Sequence, residues 1–411
     1  MKRKLFTEDL GRRWPILAGF GLVAAFIVGL FSFRLGGLAP ESAAEKAAIT
    51  HLGALGNVTS DLVLAPYKIY AWLVMRLPGS DLTNIRLASA TITLSCVVLF
   101  YVLARRWHGR LNAAVATILF ATSSWTLFTG RAGTGAIALA FAVLSLLAAA
   151  VWINKSEVGK AANRSVIAFA LATTITLFAP GGIWFVLATC LIILKPLVAH
   201  LKMASTPARV AAGAIVATGL AGFIAACAGS LDTLYQAFGL PGTWPGGSLL
   251  AENASLTFLG FFFRGPGDAA IWLANTPLLD MATSALLLLG AILYAKHLRN
   301  SRTQLLASFS VIAMVLTLLN GATALSYLQP VVYLIAASGL AYLLHDWRKV
   351  FPRNPIAETV AVGLVGFMLL AAVNFHIQRY FVAWHQSPAT AEAFQRQAAD
   401  SGKAAMPHLI Q

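Results

Sequence analysis

The polar segment LGGLAPESAAEKAAITHLGALGNVTSD, residues 35–61, is the stretch from which the organisation of this chain can be deduced. It follows an apolar run at residues 14–33, which is long enough to cross a bilayer as one helix. The segment carries two glutamates, Glu41 and Glu45, in an otherwise apolar chain. We therefore interpret it as the first polar segment beyond a membrane span, and we expect the chemistry of the protein there.

The composition places the whole chain in the membrane class. Of its 411 residues, 58% are hydrophobic and only 11% are charged, which leaves too little polar surface for a soluble domain. The net charge of +15 is spread over short loops rather than one soluble face, which excludes nucleic-acid binding. All three cysteines lie inside apolar runs, so neither a disulfide framework nor a cysteine metal site is expected.

Runs of spanning length predict an all-α polytopic membrane protein with about eleven transmembrane helices. Barrel strands would be shorter and would alternate in polarity. The predicted spans are residues 14–33, 86–104, 111–128, 132–153, 165–179, 181–197, 209–228, 279–295, 304–320, 327–345 and 357–375.

The distribution of basic residues predicts the orientation of these spans. With the N-terminus in the cytoplasm, 20 of the 30 Lys and Arg residues lie in cytoplasmic segments. The C-terminus is then extracytoplasmic, and the protein is a multi-pass protein of the plasma (inner) membrane. We divide the chain into a transmembrane domain, 1–375, with outer loops 35–84 and 229–278, and a short extracytoplasmic tail, 376–411.

Glu41 and Glu45 are the first candidates for a catalytic role. A carboxylate beside a membrane can act as a general base, because a low dielectric brings its pKa toward neutral pH. The alternative for Glu45 is structural, since Ser42-Ala-Ala-Glu45 has the spacing of a capping box at the start of a helix. The spacing alone favours that second interpretation for Glu45.

Arginines and a lysine on the outer side are candidates for binding an anion. Arg131 lies among glycines between the third and fourth spans, where its guanidinium suits a phosphate or simply reaches the membrane interface. Arg86 opens the second span, and Lys68 lies in an aromatic segment typical of an interfacial helix. Contact with lipid headgroups is the alternative explanation for Lys68.

A second polar cluster precedes the eighth span. Arg264 and Asp268 are candidate substrate contacts, and Asp280 lies at the mouth of the span. Pairing of these charges in a structural role is the alternative. The outer histidines show no metal-ligand spacing, so no metal site is predicted.

Several short motifs resemble the GT-C superfamily of membrane glycosyltransferases, which use polyprenyl-phosphate sugars and include protein mannosyltransferases and aminoarabinose transferases. The likeness covers nearly the whole chain. The motifs are the acidic segment LAPESAAEK, Ala65-Pro66-Tyr67-Lys68-Ile69-Tyr70 followed by Asn84-Ile85-Arg86-Leu87-Ala88-Ser89, the segment from Ala121 to Arg131, Phe261-Phe262-Phe263-Arg264-Gly265 with Asn275 to Asp280, and Arg379 to Trp384.

The resemblance implies an inverting transfer from a polyprenyl-phosphate-linked sugar to an acceptor lipid, glycan or protein on the outer face. Glu41 or Glu45 is then the base, and the substrate contacts are Lys68, Tyr67, Arg86, Arg131, Arg264 and Asp268. No cofactor is identified, and a divalent cation is left open. The alternatives are a transporter or flippase for lipid-linked sugars and a catalytically inactive GT-C-like scaffold.

Overall fold

The computed structural model describes residues 18–155, 158–352 and 354–405, and in these segments helices are the only regular secondary structure. The predicted all-α class is therefore confirmed. The helices are α1 (Ala18–Ser32), α2 (Ala43–Leu52), α3 (Leu55–Ser60), α4 (Ala65–Val74), α5 (Asp81–His108), α6 (Arg110–Thr122), α7 (Ser124–Arg131), α8 (Ala136–Lys155), α9 (Val158–Leu177), α10 (Gly182–Ile192), α11 (Leu194–Met203), α12 (Thr206–Gly229), α13 (Leu231–Phe238), α14 (Gly247–Leu259), α15 (Met281–Ala295), α16 (Ser301–Asn320), a 3₁₀ helix (Gly321–Tyr327), α17 (Leu328–Val350), α18 (Pro355–Gln378), a π-helix (Arg379–Trp384) and α19 (Pro388–Ala405).

The described part of each of the eleven predicted apolar runs falls mainly on one of these helices or on a bent pair of them, and residues 14–17 of the first run lie outside the described residues. In the described part of the chain, five helical segments are long and apolar enough to cross a membrane, or seven if each bent pair is one span. Three further apolar helices are shorter. The chain is thus a multi-pass membrane protein, while the count of eleven spans and the orientation of the termini stay predictions.

Two helices predicted as single spans are bent, and each bend has a local cause. α6 and α7 meet at 57° around Ser123, whose ψ of 139° is not helical and whose hydroxyl accepts the Thr126 N–H at 3.1 Å. α10 and α11 meet at 79° just before Pro196, which has no N–H to donate to the preceding turn. The first bend brings Arg131, at the end of α7, to the wall of the cavity described below.

α15 and α17 are packed backbone against backbone through two glycines. A Cβ atom on Gly290 would lie 2.0 Å from the Ile335 carbonyl oxygen, and one on Gly339 would lie 2.1 Å from the Leu286 carbonyl oxygen. Small residues at such a contact allow two membrane helices to gain dispersion contacts that larger side chains would prevent.

The segments predicted as outer loops are folded onto the bundle. In α4, Tyr67 and Ala71 are buried whereas Ile69 and Leu73 are exposed, as expected for a helix lying along an interface.

Residue 376, the start of the predicted tail, lies inside α18, and the chain continues through the π-helix into α19. The tail division stays a prediction, since nothing separates this segment from the bundle.

Candidate functional site

A cavity of about 210 Å³ lies where the first polar segment, α7, the loop before α15, the 3₁₀ helix and the π-helix meet. Six aromatic side chains contribute to a mainly apolar wall: Trp125, Phe128, Trp272, Tyr380, Trp384 and Phe394. Three charged residues also line it, Glu45, Arg86 and Arg131. The structure therefore gathers three of the predicted site residues around one apolar space.

The carboxylate of Glu45 is buried and fully hydrogen-bonded. Its Oε1 accepts from Arg86 Nε at 2.7 Å and from the Gly133 N–H at 3.0 Å. Its Oε2 accepts from Arg86 Nη2 at 2.9 Å, the Ser42 N–H at 3.0 Å and the Ser42 hydroxyl at 3.1 Å. The Ser42 hydroxyl also accepts the N–H of Glu45, so the predicted capping box is confirmed.

The guanidinium of Arg86 is equally saturated. Besides its two bonds to Glu45, Nη1 donates to the carbonyl oxygens of Leu35 at 3.2 Å and Ala39 at 3.0 Å. Nη2 also donates to the Pro40 carbonyl oxygen at 2.9 Å. All five N–H groups of this arginine are therefore used, and together they fix the segment that precedes α2.

The environment keeps Glu45 ionised. Burial raises its pKa, but the hydrogen bonds and charge of Arg86, together with the N–H groups of Ser42 and Gly133, outweigh that effect. The net result is a pKa below the usual value of 4.5. A carboxylate held in this state is a weak proton acceptor, because every acceptor site is already occupied.

Arg131 differs from Arg86 in having no carboxylate partner in the part of the chain that the structure describes. Its Nε donates to the Tyr380 hydroxyl at 3.2 Å, Nη2 donates to the Phe33 carbonyl oxygen at 2.6 Å, and Nη1 donates to the Leu30 carbonyl oxygen. Its guanidinium carbon lies 5.4 Å from the ring centre of Tyr380. Two of its five N–H groups thus have no acceptor among the described residues, although the side chain is buried.

The other predicted residues of the first polar segments lie outside the cavity wall. Glu41 is exposed on the segment that Arg86 holds in place. Lys68 forms an ion pair with Asp61. Tyr67 is buried with its hydroxyl 2.8 Å from Ser89 Oγ, and burial raises its pKa to about 12.

Arg264 and Asp268 line a second cavity, of about 480 Å³, rather than the first. Arg264 Nε donates to Asn275 Oδ1 at 2.9 Å, and Asp268 Oδ1 accepts the Ala270 N–H at 2.9 Å. The two charges form no ion pair with each other in the described structure.

A buried chain of polar groups connects α7, α15 and α18, and little in the sequence indicates it. His376 Nδ1 lies 3.1 Å from Ser124 Oγ, and its Nε2 lies 3.0 Å from Asp280 Oδ2. The Asp280 Oδ1 also accepts the Thr283 N–H at 2.9 Å, so this carboxylate is held from two sides. The only available signal was that Asp280 and His376 each stand at the end of an apolar run.

Within the described ranges, no three His, Cys, Asp or Glu side chains come together in a way that could hold a metal ion. The cavity wall itself offers a single carboxylate, that of Glu45. These residues therefore provide no set of ligands for the divalent cation that the sequence left open.

No protein-family model matches this sequence, and no curated protein matches it either. Solved structures do resemble it. ArnT from Cupriavidus metallidurans bound to undecaprenyl phosphate superposes with a TM-score of 0.56 at 13% identity, covering 94% of this chain and 79% of that chain. The chain adopts the GT-C fold. The resemblance to the GT-C superfamily predicted from sequence is thus confirmed at the level of the fold.

A second structure of the same protein, ArnT in the apo state, gives a TM-score of 0.55 at 14% identity and covers 95% of this chain and 80% of that chain. Archaeal oligosaccharyltransferase AglB from Archaeoglobus fulgidus, in complex with an inhibitory peptide and a dolichol-phosphate, gives a TM-score of 0.47 at 13% identity. The chain spans 56% of the length of that protein.

Proposed function

We propose that this GT-C protein is a membrane glycosyltransferase that takes a sugar from a polyprenyl-phosphate carrier and joins it to an acceptor hydroxyl. The observation that carries the proposal is the uncompensated guanidinium of Arg131 in the wall of an apolar cavity. The shared fold supports it, because ArnT was solved with undecaprenyl phosphate bound.

The contrast between the two cavity arginines supports a different proposed role for each. The charge of Arg86 is balanced by Glu45, so an added anion gains little from it. Arg131 donates only to a phenol and two carbonyl oxygens, lies 5.1 Å from the ring centre of Phe381, and retains two N–H groups. A buried cation without a counter-ion is costly in a low dielectric, and a phosphate accepting those N–H groups removes the cost.

We also propose different roles for the two glutamates, positioning for Glu45 and proton transfer for Glu41. Glu45 and Arg86 act as a clamp that positions the segment carrying Glu41, and Glu41 is the accessible carboxylate that accepts the proton of the acceptor hydroxyl. The acceptor oxygen then bonds to C1 of the sugar as the bond from C1 to the phosphate oxygen breaks. Polyprenyl phosphate leaves with the electron pair, Arg131 stabilises its added charge, and C1 is inverted.

Binding of undecaprenyl phosphate to the purified protein tests the role of Arg131. We expect Arg131→Gln to weaken binding by at least about tenfold in native mass spectrometry, since a charged hydrogen bond is lost. Arg131→Lys should be intermediate, because it keeps the charge but not the fork of donors. Arg348→Gln, at an exposed ion pair on α17, is the matched control. Wild-type affinity in Arg131→Gln would remove this residue from the site.

Transfer of radiolabelled sugar from a polyprenyl-phosphate donor to envelope acceptors, in proteoliposomes, tests the role of Glu41. Loss of a general base should slow Glu41→Gln by about 10²-fold or more while carrier binding is unchanged. Glu358→Gln removes another exposed carboxylate and should transfer like the wild type. Full activity of Glu41→Gln would exclude it as the base.

One observation favours a second candidate function, a carrier-binding scaffold without transferase activity. The only carboxylate in the cavity wall, Glu45, has both oxygens saturated. A scaffold of this kind would bind undecaprenyl phosphate through Arg131 but would transfer no sugar from any donor. The same two assays therefore distinguish the enzyme from the scaffold.

A further inference from the structure

A second cavity adjoins the first and has the opposite character. It measures about 480 Å³, within the range of about 300–1,000 Å³ typical of ligand sites. We call it the polar chamber; it is bounded by one face of α14, the loop 264–275 and Ala322. Three residues line both spaces, Pro266, Ile271 and Ala322, so the chamber and the apolar cavity share a boundary.

The loop before α15 forms most of the boundary between the two spaces, and backbone hydrogen bonds join its two ends. The Gly265 N–H donates to the Thr276 carbonyl oxygen at 3.1 Å, and the Asn275 N–H donates to the Pro266 carbonyl oxygen at 3.0 Å. Trp272 lines the apolar cavity, whereas Arg264, Asp268 and Asn275 line the chamber. One loop thus presents an apolar side to one space and a charged side to the other.

The chamber contains charged groups that the protein itself does not satisfy. Arg264 uses one of its five N–H groups, on Asn275. Asp268 uses one carboxylate oxygen, on the Ala270 N–H, and the Glu252 carboxylate accepts no hydrogen bond from the described residues. Two carboxylates and one guanidinium, all on exposed residues, therefore line the same space with most of their donors and acceptors open to water or to a ligand.

This set of groups selects a class of ligand. A lipid chain would leave all three charges without partners, and a phosphate would face two carboxylates with only one arginine to offset them. A hydroxyl both donates and accepts, so several hydroxyls on a rigid ring can satisfy carboxylates and a guanidinium together. Leu249 and Ile271 supply apolar surface for the C–H face of such a ring.

We propose that the polar chamber is the acceptor site and that it takes an uncharged, polyhydroxylated ligand, a saccharide, rather than a membrane lipid. This inference rests on the proposed function, since it places the acceptor beside the carrier cavity. A saccharide in the chamber presents a hydroxyl to the apolar cavity at the boundary formed by Pro266, Ile271 and Ala322. Arg264 and Asp268 hold the acceptor and do not take part in the bond exchange.

Glycan-array binding with the full-length protein in lipid nanodiscs tests the proposal, with immobilised neutral oligosaccharides as the probes. We expect the wild type to retain a subset of them and the double variant Arg264→Gln/Asp268→Asn to bind the same subset at least about tenfold more weakly. The double variant Arg348→Gln/Glu358→Gln removes an exposed guanidinium on α17 and an exposed carboxylate on α18 that lie 3.7 Å apart, and it is the matched control.

Undecaprenyl phosphate binding, measured on the same preparations, separates this inference from the proposed function. Loss of oligosaccharide binding in the chamber variant, with carrier binding kept, supports the acceptor site. The proposal is overturned if the wild type retains no oligosaccharide or if the chamber variant binds as the wild type does. A wild type that binds oligosaccharides but no carrier would instead refute the proposed function.

Discussion

The Glu45–Arg86 pair is the residue-scale feature on which the first polar segment depends. Both side chains are buried, and the exposed surface of Glu45 is only 2%. Two buried charges recover their desolvation cost only when geometry and additional hydrogen bonds are favourable. Here the pair has two direct bonds, and Gly133, Ser42 and three carbonyl groups satisfy the remaining donors and acceptors.

Removing one charge of this pair should destabilise the protein. Glu45→Gln leaves the Arg86 guanidinium buried without a counter-ion, so we expect a loss of about 3 kcal/mol in the free energy of unfolding. Thermal unfolding in detergent measures the effect, with the exposed Glu41→Gln as the matched control. The double variant Glu45→Leu/Arg86→Met, which removes both charges, should recover part of the loss. Equal stability of Glu45→Gln and wild type would contradict the structural role.

The same carboxylate should make stability depend on acid pH. Its folded pKa lies below the unfolded value of 4.5, so its contribution is present above pH 4.5 and is lost as pH falls through the folded pKa. The melting temperature of the wild type should therefore fall more steeply below pH 4.5 than that of Glu45→Gln. Parallel curves for the two proteins would refute the assignment.

At the scale of elements, hydrophobic runs predicted where helices occur but not where they bend. The hydrophobic pattern of a run does not show whether one serine inside it adopts a non-helical ψ. Ser123 adopts such a ψ at the bend between α6 and α7. Pro196 was a visible signal, since proline removes an N–H from the helical ladder. The capping box at Ser42 was also predictable, because it depends only on two residues that are three positions apart in the sequence.

The contact between α15 and α17 gives a prediction at this scale. Gly339→Ala should destabilise the protein by about 1–3 kcal/mol, because its Cβ would lie 2.1 Å from a backbone carbonyl oxygen and the helices must separate. Gly363→Ala in α18, where nothing lies within 4 Å of the added Cβ, should be neutral or slightly stabilising. Thermal unfolding of the two variants measures the difference. Similar melting temperatures would show that the helices adjust freely.

At the scale of the whole molecule, the site could be predicted only in part. The first polar segment and the arginines were recognisable by their charge in an apolar sequence. Their pairing was not, because Glu45 and Arg86 are 41 positions apart and Arg131 meets Tyr380 across 249 positions. Long-range contacts of this kind depend on how helices pack. Such packing separates Glu45, Arg86 and Arg131 from Lys68, which pairs with Asp61 instead.

The orientation of the bundle is the last prediction, and it follows from three helices. If α15, α16 and α17 each cross the membrane, Arg264 and Arg348 lie on opposite sides, and the basic loops place Arg348 in the cytoplasm. Both side chains are exposed, so each position can be labelled as a cysteine once the three native cysteines are replaced. A membrane-impermeant maleimide should label Arg264→Cys in intact cells, and should label Arg348→Cys only after permeabilisation. Labelling of both from outside would mean that these helices do not cross three times, and the cavity would then lie in a different relation to the bilayer.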